Sequence, residues 1–232
     1  MKLKNYMIYL ALLAMCCAGV FLAENIIDSA NPANTFAQSK PALIIDAGHG
    51  GEDGGASGGD GTLEKNLNLQ VSEKLRDFAR VMGYNVIMVR EEDISIHNED
   101  AKNTRQRKRT DLMNRVALCD SNPSATYIGI HMNKFTQTKY SGTQVFYSVK
   151  NPASQTLAES IQLNVKTLVQ KDNDRKIKKA GEDIYILCNV ENVAVTVECG
   201  FLSNPEELSR LKNEQYQSEL VFAVMSGICA AE

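Results

Sequence analysis

The sequence predicts a single α/β domain over residues 41–232, a mostly parallel twisted sheet with helices on both faces. Three observations predict it. Short apolar runs alternate with longer stretches whose apolar residues recur every three or four positions, the pattern of buried strands between covering helices. A histidine or a carboxylate follows or ends three of those runs, where open α/β sheets place their ligand sites. The 232 residues contain no internal repeat and suit one domain with a sizeable core.

The chain opens on a separate segment. Met1-Lys2-Leu3-Lys4 is basic, and Tyr6 to Ala23 is an uncharged apolar stretch of 18 residues. That is close to the roughly 20 residues of a membrane-spanning helix and also fits a signal peptide. The lysines favour the cytoplasmic side, so the remainder is expected to be exported. Residues 1–23 therefore read as a membrane anchor or signal segment, the anchor being preferred because no small-x-small cleavage site stands out near Ala23. Residues 24–40, with asparagine, serine, proline and alanine and little periodicity, read as a tether.

From Pro41 the elements follow in order. A buried strand at about 42–46 leads through a glycine-dense loop to a helix at about 64–82, where Leu67, Val71, Leu75, Phe78 and Met82 form one apolar face. Gly83 stands where a helix stop is expected. Tyr84 to Val89 is the next strand, and a polar stretch then precedes a helix at about 106–120 with Leu112, Val116 and Cys119 in register. Strands are expected at about 125–131 and 143–147, and a helix at 152–171 carrying Leu157, Ile161, Val165 and Leu168. Further strands at about 184–188 and 193–199 precede helices at 205–213 and 215–230.

Four residues stand out against this frame: His49, Glu64, His131 and Glu198. His49 follows the first strand, His131 ends Tyr127-Ile128-Gly129-Ile130, Glu198 ends Val193-Ala194-Val195-Thr196-Val197, and Glu64 opens the first long helix. Two histidines and a carboxylate suit a zinc ion with one position left open for water, and the fourth residue can act as a base beside it. The site is expected at the C-terminal ends of the strands. Glu64 also fits a helix-start acid favoured by the helix dipole, and the two roles are compatible. A carboxylate ending a run of small and β-branched residues, as Glu198 does, would be costly to bury unpaired. Strand alternation sends Cys199 to the other side of the sheet. Asp46 is expected to orient a histidine ligand.

Other features are excluded or left bland. Eight of the fifteen glycines lie between Gly48 and Gly61, but the helix after them opens Glu64-Lys65, without the Gly-Lys-Ser/Thr of a phosphate loop, and Asp53 stands where a dinucleotide fingerprint needs glycine. The glycines are better read as letting the backbone turn tightly beside a metal and as a shallow floor for a large substrate. A net charge of -3 gives no pull toward nucleic acid. His97 reads as a solvated loop histidine, and Lys102, Arg105, Arg107, Lys108 and Arg109 as a solvated helix start or a rim meeting an anionic polymer. Cys119, Cys188, Cys199 and Cys229 show no CxxC spacing and read as small buried hydrophobes, with disulfide pairing left open.

Ile45-Asp46-Ala47-Gly48-His49-Gly50-Gly51, Glu64-Lys65-Asn66-Leu67-Asn68, Ile130-His131-Met132-Asn133 and Val197-Glu198-Cys199-Gly200-Phe201-Leu202-Ser203-Asn204 together resemble the zinc-dependent N-acetylmuramoyl-L-alanine amidases of the Amidase_3 type. The resemblance spans roughly residues 41–230, with four blocks in the family's order. It implies zinc ligands at His49, Glu64 and His131, a catalytic glutamate at Glu198, and cleavage of the amide between the muramic lactyl group and L-alanine of peptidoglycan. Ala47 stands where the family usually has proline, and Gly129 and Lys134 replace commoner small residues. One catalytic domain behind an N-terminal anchor is similar to the family's sporulation members. That similarity implies work on spore-cortex peptidoglycan, facing the forespore cortex, ahead of a muramic acid deacetylase that completes the δ-lactam. An exported activator protein is a further expected partner, because amidases of this kind must be restrained near the wall. The rival readings are a zinc peptidase cutting within the stem peptide and a non-catalytic wall-binding module.

Overall fold

The computed structural model describes residues 40–232. The anchor or signal segment at 1–23, and all but the last residue of the tether at 24–40, lie outside those residues. Among the described residues no helix is long and apolar enough to cross a membrane.

The chain runs β1 (Leu43–Ala47), α1 (Glu64–Val81), β2 (Val86–Met88), α2 (Thr104–Asp120), β3 (Thr126–Asn133), β4 (Gln144–Tyr147), α3 (Ala153–Leu168), β5 (Lys178–Lys179), α4 (Tyr185–Asn189), β6 (Ala194–Phe201), α5 (Pro205–Leu211) and α6 (Glu214–Ala230). One six-stranded sheet has the order β2-β1-β3-β6-β4-β5. The first four strands in that order are parallel, β4 is antiparallel to β6, and β5 is parallel to β4. Alternation along each strand divides the apolar side chains between two cores. Leu43, Ile45, Ile128, Ile130, Val195 and Val197 meet α1, α3 and α6, whereas Ile44, Tyr127 and Ala194 meet α2 and α4. The predicted architecture, one sheet covered on both faces, is the observed one.

Two elements differ from the expectation. The run at 184–188, expected as a strand, is the short helix α4, with Ile186 and Leu187 both buried against the α2 side. Two consecutive buried residues suit one side of a helical turn, and a brief apolar run has no periodicity to separate the two states. The two-residue edge strand β5 has exposed lysines and no apolar signal. Lysine is a common residue on sheet edges, where it discourages pairing with another chain.

Three local features position the site. Tight turning after β1 places His49 at φ 62, the left-handed region that a non-glycine residue rarely occupies. Helix α1 starts at Glu64, aiming that carboxylate back at the glycine loop. Between β3 and β6 the register shifts just after the pair His131 and Glu198, one extra residue being taken up on β6 before Phe201 meets Asn133. Such a bulge re-aims side chains at a strand end.

Candidate active site

His131 and Glu198 are cross-strand partners on β3 and β6, so their side chains leave the same face of the sheet. Cys199 points the other way, into the core under α1, α3 and α6. His49 and Glu64 arrive from the loop after β1 and from the first residue of α1. Ligand atoms of His49, Glu64 and His131 all lie within 4.8 Å of one another, the arrangement expected from the sequence. Glu64 Oε1 is 3.2 Å from His49 Nε2 and 3.0 Å from His131 Nδ1. The two imidazole side chains are 20% and 24% exposed, so a substrate can reach them, while Glu64 is buried beneath.

Glu64 is held firmly. Its Oε2 accepts from Ala56 N at 2.7 Å and its Oε1 from Met132 N at 3.2 Å. Asn68 adds a donor one helical turn on and also bonds the Gly48 carbonyl. His49 Nδ1 lies 2.9 Å from Asp53 Oδ2. With Asp53 accepting from Nδ1–H, the lone pair of Nε2 faces a carboxylate oxygen, and that juxtaposition calls for positive charge between them. In the metal-free protein a proton supplies it. Burial lowers the pKa of His49, but the Asp53 and Glu64 carboxylates outweigh burial and raise it to about 9. Burial likewise opposes charge on Glu64, yet His131 and His49 hold that carboxyl well below the usual carboxylate range. The His49 hydrogen bond holds Asp53 low as well.

The cradle fits a small cation. A Cβ at Gly48 would sit 2.2 Å from His131 Nε2, and one at Gly55 would sit 2.6 Å from Glu64 Oε2 and 2.7 Å from His49 Cδ2. Side chains at these positions would occupy the space the ligands use. Beside the trio, Glu198 Oε2 is buried and has no hydrogen-bond partner. Burial pushes the Glu198 carboxyl up to about 7. A group poised near neutrality beside two imidazoles and a carboxylate is suited to accepting a proton and giving it back.

The backbone under His49 is clamped by two buried arginines. Arg115 donates to the His49 carbonyl at 2.9 Å and pairs with Asp46 and Asp111. Arg90 donates to the carbonyls of Ala47, Gly48 and Lys65. Asp46 accepts from Tyr127 Oη at 2.6 Å and from Arg115, and bonds no histidine. This corrects the expected role: Asp46 faces the α2 side of the sheet, so it acts on the His49 backbone through Arg115, and Asp53 is the carboxylate that meets the imidazole. Asp53 had one signal in the sequence, its spacing of four from His49 in a tightly turning loop.

The remaining candidates fall outside the centre. His97 Nδ1 shares a 2.9 Å hydrogen bond with Ser95 Oγ, which also bonds Asp111. In the basic cluster, Arg107 pairs with Glu52 and Lys108 with Asp53, tying the start of α2 to the glycine loop. Cys119, Cys188, Cys199 and Cys229 are all free thiols. A cavity of about 650 Å³ opens between Gly59-Asp60 and the segment from Leu202 to Asn213, with none of the four site residues in its wall.

Known proteins share this fold. The Amidase_3 family, described as N-acetylmuramoyl-L-alanine amidase, matches residues 43–230. A germination-specific N-acetylmuramoyl-L-alanine amidase of Bacillus subtilis is 37% identical over 186 residues, 80% of this chain and 77% of the relative. Among solved structures, the CwlD amidase of Clostridioides difficile, in complex with the GerS lipoprotein, superposes with a TM-score of 0.79 at 39% identity, covering 82% of this chain and 98% of that one. An N-acetylmuramoyl-L-alanine amidase of Clostridium difficile 630 gives 0.72 at 27% identity, covering 83% and 96%.

Proposed function

The chain belongs to the Amidase_3 family of N-acetylmuramoyl-L-alanine amidases, and from that membership we propose that it is a zinc enzyme in which His49, Glu64 and His131 hold the metal and Glu198 handles the proton. The observation that carries this is the meeting of three ligand-type side chains within 4.8 Å, with Glu198 in register beside His131. Zinc, when bound, supplies a Lewis acid for the scissile carbonyl and an activated water for the attack.

Everything else falls to the chain. Asp53 fixes the His49 tautomer so that Nε2 faces the centre. Glu198 Oε2, buried and without another partner, takes the proton of the attacking water and delivers it to the alanine nitrogen as the amide breaks. The muramic lactyl carboxylate and a peptide beginning with alanine are the products. No covalent bond to the enzyme is needed.

Glu198→Gln keeps the shape and removes the proton acceptor. It is expected to bind zinc and to lose most turnover, about 10²- to 10⁴-fold. Wild-type rates in a zinc-loaded Glu198→Gln protein would remove Glu198 from the mechanism. Mass spectrometry of digested wall decides between the amidase and a stem-peptide zinc peptidase, because the peptidase leaves alanine on muramic acid. A non-catalytic wall-binding module would release nothing.

The germination-specific name of the Bacillus subtilis relative supports a role in the spore cortex, ahead of a deacetylase that forms the muramic δ-lactam. Strand β1 begins at Leu43, at the end of the sheet opposite His49. With residues 1–23 as its anchor or signal segment, the domain would be exported and act on the wall outside the cytoplasm. The CwlD–GerS complex supports an exported protein partner for this chain too. Full activity of the purified, zinc-loaded protein alone would argue against a required partner.

A further inference from the structure

The proton transfer proposed for Glu198 gives the substrate a direction. The nitrogen that receives the proton belongs to the departing stem peptide, so that peptide lies on the Glu198 side of the centre and the muramic sugar on the His49 side. Beyond Glu198 the next strand is β4, whose Gln144 stands opposite Glu198 in register. Beyond Gln144 stands Arg175, three residues before β5.

Arg175 is placed with care by its neighbours. Its guanidinium lies 4.8 Å over the Phe201 ring and donates to Gln144 Oε1. Gln144 in turn donates to the Lys176 carbonyl at 2.8 Å, and Arg175 N donates to Asn173 Oδ1 at 3.0 Å, which fixes the segment on both sides. Among the described residues Arg175 forms no ion pair, and its buried Nε has no acceptor. Glu207, a nearby carboxylate, is occupied by Gly142 N and Phe201 N. Burial lowers the pKa of Arg175, the sign of a charge partly stripped of water. A guanidinium held over a ring has donors beyond the one spent on Gln144, and these can meet a carboxylate. The platform continues outward: Phe201 neighbours Tyr140 at 6.2 Å, and Tyr140 packs edge-on against Phe135, whose side chain is 49% exposed.

Resting on the amidase reading above, we infer that Arg175, seated on Phe201 and steadied by Gln144, binds the free carboxylate of the second stem-peptide residue and makes the enzyme select for it. In peptidoglycan that residue is D-glutamate joined through its side chain, so its α-carboxyl is left either ionised or capped as an amide. Standard bond lengths put this carboxyl up to about 6.8 Å from the alanine nitrogen. The β4 backbone lies about 4.8 Å from that of β6. The reach matches a group held just past Gln144.

The test uses the zinc-loaded full chain and two muramoyl peptides differing only in that carboxylate or amide, with the released peptide quantified. The wild type is expected to favour the carboxylate by about 10- to 100-fold in kcat/KM, mostly through KM, the range of a charge-assisted hydrogen-bonded pair. In Arg175→Ala the ratio between the two substrates should collapse toward one, and Arg175→Lys should restore part of it. Because the ratio is taken within one protein, partial misfolding cancels. Equal turnover of both substrates by the wild type overturns the inference, as does a preference that survives in Arg175→Ala. Turnover of neither substrate by the wild type, alone or with sporulating-cell extract above a Glu198→Gln control, removes the amidase reading and this inference with it, whereas equal turnover removes the inference alone.

Discussion

An alanine at position 48 would place its Cβ 2.2 Å from both Cε1 and Nε2 of His131. Ordinary contact starts near 3.4 Å, so the ring must retreat by about 1.2 Å, the difference between those two distances. The backbone itself does not forbid the change, since Gly48 is absent from the positive-φ glycines. The penalty therefore falls on His131, whose Nδ1 must leave its 3.0 Å approach to Glu64 Oε1. Misplacing a group in a reacting centre by about 1 Å costs on the order of 100-fold, or about 2.7 kcal/mol. Gly48→Ala is thus expected to lose about 100-fold in kcat/KM and to bind zinc more weakly, read by peptide release and by metal content after dialysis. Gly59→Ala is the control, since a Cβ there meets nothing within 4 Å and no positive φ opposes it. If Gly48→Ala matches Gly59→Ala in zinc content and rate, then His131 is not held where the structure puts it and the metal-site reasoning fails.

Three further expectations follow from the same geometry. Asp53→Ala removes the acceptor from His49 Nδ1 and should weaken zinc binding about 10- to 100-fold in competitive titration; unchanged affinity would mean that Asp53 does not set the tautomer. Tyr127→Phe leaves Asp46 Oδ2 without that donor in the core and should cost about 1–3 kcal/mol in urea denaturation, a loss below about 0.5 showing that the hydroxyl is dispensable. In the chelator-treated protein, His49 is raised from 6.5 to about 9 and Glu198 from 4.5 to about 7. In both windows the folded state binds more protons than the unfolded one, so stability falls as pH rises. Tm should therefore drop between pH 5 and 9. Zinc bound as proposed would displace the His49 proton, so the Tm gained on adding zinc should be larger at pH 8 than at pH 6. A zinc-free Tm that rises across pH 6 to 9 contradicts the proton placement.

The four central residues were legible because each closes or opens an element with a strong local signal. An imidazole after a buried strand, or a carboxylate ending Val193 to Val197, has no reason to be there unless something polar awaits it. Asp53, Arg115 and Arg175 carried no such signal. Arg115 lies in a helix rich in basic residues, and only the packing of α2 under β1 reveals that it is buried on Asp46 while Arg105 and Arg109 stay in solvent. Arg175 becomes meaningful only once β4 turns antiparallel beside β6, a pairing that no periodicity encodes. The run Ile184-Tyr185-Ile186-Leu187-Cys188 departs from its expected strand for a related reason. Its residues have strand-like composition, but both edges of β6 are taken by β3 and β4, and the segment packs as a helical turn instead.

The ionic cluster below His49 is better explained by the site than by stability. Asp46 and Arg115 are almost wholly buried, and a buried pair of this kind rarely outperforms well-packed apolar residues of the same volume. What apolar residues cannot do is donate to a carbonyl. Arg115 reaches the His49 carbonyl while Arg90 holds those of Ala47 and Gly48, so three successive carbonyls are fixed at the one point among the described residues where a non-glycine residue has positive φ. A strained conformation persists only when its surroundings over-determine it. Replacing His49 by glycine would relax the strain and lose the imidazole. Keeping histidine there requires the clamp, and the clamp requires Asp46, Asp111 and Tyr127 to keep Arg115 charged and aimed in a dry core.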